Sequence, residues 1–344
     1  MLKNNLQGFE NLVGLKQKMK RIIYILVIFI SSLSCETKKE KKIIIKPADT
    51  SKVQTETIEG DFAGGTLLRI DDFPSNYIPP RKVDIWLPEG YSNSKKYAVL
   101  YMHDGQMLFD STITWNKQEW KVDETSSQLM RDSITRDFIV VAPFNINDLR
   151  HSEYFPQKPY ESLPKSVRDS LFEQAKLDNF KFDTVTSDNY LGFIVNELKP
   201  YVDANYSVLT DRDNTFVAGS SMGGLISMYA ICEYPKVFGA AACLSTHWPG
   251  TNPNDGDLLA DTIFEYMKAN LPSPKTHRFY FDYGTETLDK FYPKYAQRVN
   301  SIFKEKGYDQ SNFKNLKFKG AEHTEISWQK RLDIPLTFLL RRTE

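Results

Sequence analysis

The chain has 344 residues, enough for one large domain or two small ones, and its hydrophobic (41%) and aromatic (13%) content supplies the apolar surface a core needs, which excludes global disorder. Lys and Arg (44) equal Asp and Glu (44), so the chain lacks the basic field that holds a nucleic acid by its phosphates. Three scattered cysteines, and five histidines with no His-x-x-x-His pair, argue against a disulfide scaffold and a zinc site.

Near the N-terminus, Lys20 and Arg21 precede a nine-residue apolar run, 22–30, too short for a membrane span. Ser31-Ser-Leu-Ser-Cys35 follows, completing the basic, apolar and small-residue zones of a secretory signal that starts cleanly at Met19. Residues 1–35 are therefore expected to be a leader and signal peptide, with Met19 as the true start. The small residues ending in Cys35 resemble a bacterial lipoprotein box, with Ser32 where that box usually has leucine; the alternative is an ordinary signal peptide cut near Ser34. Either exports the protein, to the periplasm or to a membrane through a lipid on Cys35. Without residues 1–35 the chain keeps 39 basic against 43 acidic residues, a net charge of −4. Residues 36–61, rich in Lys, Glu and Thr, read as a flexible tether, with order expected from Phe62.

From there the pattern predicts strands at Arg81–Leu87, Tyr97–Met102, Phe138–Ala142, Asn214–Ala218, Gly239–Leu244, Arg278–Tyr283 and Leu316–Phe318. Helical patterns lie between them at Tyr190–Val202, Met222–Glu233, Leu258–Ala269, Leu288–Lys306 and Glu325–Leu340. Such alternation predicts an α/β fold, one catalytic domain over 62–344 with a mostly parallel central sheet and helices on both faces. Asn147–Ser187, rich in Pro, Tyr and charge, fits no strand–helix unit and reads as an irregular, cap-like insertion.

Between the strand ending at Ala218 and the helix from Leu225 stands Gly219-Ser-Ser-Met-Gly-Gly224, a Gly-x-Ser-x-Gly turn. A sharp strand-to-helix turn exposes the serine oxygen, with glycine expected to be required at 219 and 223. Ser221 is thus the candidate nucleophile, and the helix N-terminus behind it favours a developing oxyanion. A nucleophilic serine needs a base and an orienting acid, in chain order Ser, acid, His on this kind of fold. His323, in the loop before the last helix, has the topological place of the base, while His103 and His247 read as pocket lining or support. For the acid, the loop after Arg278–Tyr283 offers Asp289, the first choice, and Glu286; Asp282 lies inside the strand. The loop His103-Asp-Gly-Gln106 points to the Gln106 amide, beside that of Met222, as the oxyanion hole. Trp115, Trp120, Trp248, Tyr154 and Tyr160 are candidates to stack on a ring, and Trp248, Tyr154 and Arg150 are the expected substrate contacts.

At Tyr97–Asp110, Gly219–Gly224, Tyr283–Asp289 and Gly320-Ala-Glu-His323 the chain resembles the esterase D-like esterase family of the α/β-hydrolases, which holds feruloyl and acetylxylan esterases and enterochelin esterases. The resemblance runs from Arg81 to Leu340. It implies the α/β-hydrolase fold and carboxylic-ester hydrolysis without a metal or other cofactor, with Ser221 as nucleophile, His323 as base, Asp289 or Glu286 as acid and Gln106 with Met222 as oxyanion hole. With the export signal, this leads to the expectation of an exported serine esterase that removes acetyl or feruloyl groups from a polysaccharide or an acylated small molecule. Siderophore ester hydrolysis, and a non-catalytic carbohydrate- or partner-binding protein on a hydrolase fold, are the alternatives.

Overall fold

The computed structural model describes residues 45–177, 184–254 and 256–342, within a compact unit that begins at Ile45. The expected leader, Met19 and Cys35 lie outside the described residues. The tether expected over 36–61 is corrected in its described part. There Glu56–Phe62 forms a strand, β1, paired antiparallel with β2 (Gly65–Phe73). Upstream of it the Ala48 amide donates to the buried Glu197 carboxylate at 2.8 Å. An outermost strand keeps most side chains in solvent, so its composition resembles that of a linker.

The sheet has nine strands: after β1 and β2 come β3 (Arg81–Leu87), β4 (Ala98–Met102), β5 (Phe138–Pro143), β6 (Thr215–Ser220), β7 (Ala240–Leu244), β8 (Arg278–Tyr283) and β9 (Phe313–Lys317). Their spatial order is β1-β2-β3-β5-β4-β6-β7-β8-β9. The pairings β1–β2, β2–β3 and β3–β5 are antiparallel and the other five parallel, so the sheet is mostly parallel as expected. Every residue of β4 to β7 is buried, which is why these strands appear in the sequence as unbroken apolar runs. The two-residue period divides them between two cores: Val99, Tyr101, Ile139, Val141 and Val217 enter one, and Leu100, Val140, Phe216 and Ala242 the other. Helices Met222–Glu233, Leu258–Asn270 and Pro293–Glu305 cover the first face; Val122–Arg131 and Asp333–Leu340 cover the second.

Two expected helices are each divided. Leu288–Lys306 becomes a 3-10 turn, Thr287–Phe291, followed by a helix that Pro293 opens, and Glu325–Leu340 becomes Glu325–Gln329 and Asp333–Leu340, with Pro335 in the first turn of the latter. The insertion is also corrected. It carries helices Arg150–Tyr154, Gln157–Glu161 and Lys165–Leu177, the first two too short to show a periodicity. Tyr154, Phe155, Tyr160 and Leu163 join the first core. Glu153 forms a bidentate ion pair with Arg81 at the head of β3 (2.8 and 2.7 Å), with both residues almost entirely buried. The first half of the insertion thus packs into the domain's interior, with Asn147 and Arg150 at the wall of a cavity.

Candidate active site

β6 leads into the turn that carries Ser221, whose φ of 58° and ψ of −120° are unusual for a residue with a β-carbon. The turn is held by its neighbours: the Ser221 amide donates to the Leu244 carbonyl at 2.9 Å, and the Ser221 carbonyl accepts from the Gly224 and His247 amides, each at 3.1 Å. A β-carbon at Gly219 would stand 2.8 Å from the Gly223 carbonyl, and one at Gly224 would stand 2.7 Å from Thr246 Oγ1. At Gly223 the nearest atom would be 3.4 Å away, so the steric requirement expected at 219 and 223 falls on 219 and 224.

Met222 is the first residue of the following helix, and its N–H therefore has no intrahelical acceptor. Gln106 lies in the 3-10 turn Gly105–Met107, whose first bond runs from the Met107 amide to the Asp104 carbonyl (2.9 Å), leaving the Gln106 N–H outside that ladder. The Gln106 side chain accepts from the Asn145 amide at 3.2 Å. Asp104, at φ 61°, begins this turn and is gripped by Arg150 through two 2.8 Å bonds and by Asn145 at 2.7 Å. Burial alone would raise the Asp104 pKa, but the charge and hydrogen bonds of Arg150 hold it below the usual carboxylate range.

His323 Nδ1 meets Asp289 Oδ1 at 2.6 Å, and Asp289 has no exposed surface. Its other oxygen accepts from Ser245 Oγ and the Gly284 amide, both at 2.6 Å. Burial pushes the Asp289 pKa up, yet the bonds from His323, Ser245 and Gly284 outweigh it and the net shift is downward. Glu286 is exposed and accepts from Thr285 Oγ1 at 3.0 Å, away from His323. The acid loop and the histidine loop are stitched together: the Thr285 and Glu286 amides donate to the Ala321 carbonyl (2.9 and 3.0 Å), the His323 amide to Thr287 Oγ1 (2.8 Å) and the Gly320 amide to Thr285 Oγ1 (2.8 Å).

Ser221, His323 and Gln106 all line one cavity of about 910 Å³, together with Arg150, Trp115 and Trp120. Trp115 is 84% exposed at this site, on a loop tied to the histidine side by a 2.8 Å bond from Asn116 Nδ2 to Glu325 Oε2. The substrate contacts expected of Trp248 and Tyr154 are corrected. Trp248 is buried against Phe264 and Phe281 (ring centroids 4.9 and 5.7 Å), and the fully buried Tyr154 uses its hydroxyl to accept from the Asp104 amide at 3.3 Å. Neither lines the cavity. His103 and His247 stand behind it: His103 Nδ1 pairs with the Tyr190 hydroxyl and His247 Nδ1 with that of Tyr292, each at 2.8 Å. Burial pushes both histidines down to about 4. Sequence reasoning missed Ser245, Trp328 and Arg331, which meet around Asp289 from distant parts of the chain and share no local motif.

Comparison with known proteins follows the same lines. Residues 78–338 match the family model described as "Putative esterase". The chain is 25% identical over 250 residues to "Uncharacterized protein YbbA" of Bacillus subtilis (strain 168), covering 71% of this chain and 86% of that one. It is 22% identical over 281 residues to the "Endo-1,4-beta-xylanase/feruloyl esterase" of Xylanibacter ruminicola, covering 79% of this chain but only 31% of that longer protein. Among solved structures it is similar to the CE1 ferulic acid esterase of the anaerobic fungus Anaeromyces mucronatus, with a TM-score of 0.54 and 21% identity, over 83% of this chain and 98% of that one. The likeness carries the α/β-hydrolase fold, and with the family match over three-quarters of its length the chain belongs to the esterase family of carboxylic-ester hydrolases.

Proposed function

We propose that this protein is an exported serine esterase that cleaves acyl esters through an acyl-enzyme on Ser221. The observation that carries the reading is the strained Ser221 and the His323 imidazole bonded to buried Asp289, with Ser221 and His323 opening on one cavity. In this mechanism His323 takes the Ser221 proton as Oγ attacks the ester carbonyl, and the Met222 and Gln106 N–H groups receive the oxyanion. Collapse breaks the bond to the alcohol oxygen, which takes the proton from the imidazolium. A water then attacks the acyl-enzyme, giving up its proton to His323; the carboxylic acid leaves and Ser221 recovers its hydrogen. Asp289 stays ionised throughout and orients the ring. Ser221→Ala should cost about 10⁴–10⁶ in turnover of p-nitrophenyl acetate and abolish labelling by a serine-reactive phosphonate; wild-type turnover in that variant refutes the mechanism.

For the substrate, the proposal is an acetyl or feruloyl ester on a polysaccharide. It is supported by the exposed Trp115 with Asn116, Gln118 and Asn147 on the cavity wall, a flat ring beside amide groups suited to a sugar, and by a similar protein whose name joins a xylanase to a feruloyl esterase. Trp115→Ala should raise KM on a feruloylated oligosaccharide about 2- to 12-fold more than on methyl ferulate; equal changes on both remove the sugar contact. Export, to the periplasm or to a membrane through a lipid on Cys35, belongs to the same proposal and rests on Lys20, Arg21, the 22–30 run and Cys35. Cys35→Ser should release the protein from membranes, and continued retention refutes acylation there.

A further inference from the structure

We infer that Ser245 is a positioning residue for the triad acid, its single hydroxyl proton committed to Asp289 by two donors on its other side. The inference rests on the triad reading above and goes beyond it. Ser245 is fully buried just past the end of β7, at φ 41°. Its oxygen accepts from Trp328 Nε1 at 2.9 Å and from Arg331 Nη2 at 3.0 Å. An indole N–H and a guanidinium are donors only, so the one proton of Ser245 has a single outlet, Asp289 Oδ2, 2.6 Å away. With Gly284 donating to the same oxygen, Oδ2 is saturated and Oδ1 is left for His323. The carboxylate is thereby prevented from rotating away from the imidazole.

The donors are themselves anchored. Arg331 binds Asp282 through Nη2 (2.9 Å) and Nε (3.1 Å), and Asp282 also accepts from the Ser245 amide (3.1 Å) and the Tyr280 hydroxyl (3.0 Å). Arg331, Asp282 and Trp328 are each at most 4% exposed. Trp328 also packs edge-on against His323, with ring centroids 5.0 Å apart. A cation thus sits one hydroxyl away from Asp289 and polarises the O–H toward it, in surroundings where water does not compete. The titratable and charged groups around Asp289 are His323, His247 and Tyr292, with Arg331 and Asp282 acting through Ser245.

The test is Ser245→Ala beside Ser245→Gly, since glycine adopts φ 41° without strain and separates loss of the hydroxyl from backbone effects. Removing a donor from the anionic Asp289–His323 pair makes the pair easier to protonate. The acid limb of the kcat/KM profile should therefore move up by about one pH unit in both variants, the order expected for a hydrogen bond to a charged group. kcat should fall at least about tenfold at the plateau while KM stays within about twofold. Wild type and Ser221→Ala are measured alongside: activity in Ser221→Ala defeats the triad reading, whereas a normal triad with unshifted Ser245 variants defeats only this inference. A fall in kcat that tracks lost melting temperature with an unmoved acid limb also overturns it. Should neither variant fold, Trp328→Phe, which keeps the ring and removes one of the two orienting donors, must shift the limb upward, and an unchanged limb there refutes the role.

Discussion

Glu153→Gln removes the charge that faces Arg81 across the junction between the insertion and β3. The guanidinium of Arg81 lies among the rings of Tyr190 and Phe193, 5.5 Å from each centroid, and no water reaches it to replace the carboxylate. An unpaired buried charge of this kind costs about 3–5 kcal/mol. At roughly 2 °C per kcal/mol for a domain of this size, the melting temperature should fall by about 6–10 °C. The assay is a thermal or urea melt of four chains: wild type, Glu153→Gln, Arg81→Met, and Arg81→Met with Glu153→Leu. Because replacing both partners by apolar groups leaves no charge stranded, the double variant should regain most of the loss and be more stable than either single one. A Glu153→Gln protein melting within about 2 °C of wild type, or a double variant no better than the singles, would refute the idea that this pair fastens the insertion to the sheet.

Asp289→Asn should reduce kcat by orders of magnitude while Glu286→Gln stays within about twofold; the reverse ranking in ester hydrolysis would move the acid to Glu286. His103 and His247 have folded pKa values depressed to about 4 from 6.5, so their stabilisation is complete above pH 6.5 and is lost as the pH falls through 4. At pH 5 the pair should cost about 4 kcal/mol relative to pH 7.5 in urea titrations, and equal stabilities at the two pH values would contradict their buried, neutral state. Trp248→Ala should lower unfolding free energy by about 3–5 kcal/mol, since its ring fills the core against Phe264 and Phe281. A folded protein of unchanged stability with weakened substrate binding would return Trp248 to the cavity.

The central strands were legible because burial on both faces leaves no room for polar residues, and β3 and β8 lie where their patterns end, at Arg81–Leu87 and Arg278–Tyr283. Ser221, His323 and Asp289 could be named as candidates because a turn motif and a loop's place after its strand are read along the chain; the structure sets His323 against Asp289 and puts Ser221 and His323 on one cavity. Ser245 and Arg331 could not, since a contact between residues 86 positions apart leaves no trace in either neighbourhood. Trp115 and Trp248 are the same residue type in similar polar loops; what packs against each decides that one stands in the cavity and the other in the core. The short helices of the insertion and the edge strand β1 failed for related reasons, too few residues for a period in one case and too little burial in the other.

The four hydrogen bonds that stitch the loop of Asp289 to that of His323 make the two residues a single mechanical piece. Bending of this edge of the domain then carries imidazole and carboxylate together, and the end of β7 ties that piece to the Ser221 turn, since the Leu244 carbonyl holds the Ser221 amide and the next residue, Ser245, holds Asp289. A residue inserted into one loop would have to be matched in the other, or the bonds that keep Asp289 against His323 would part.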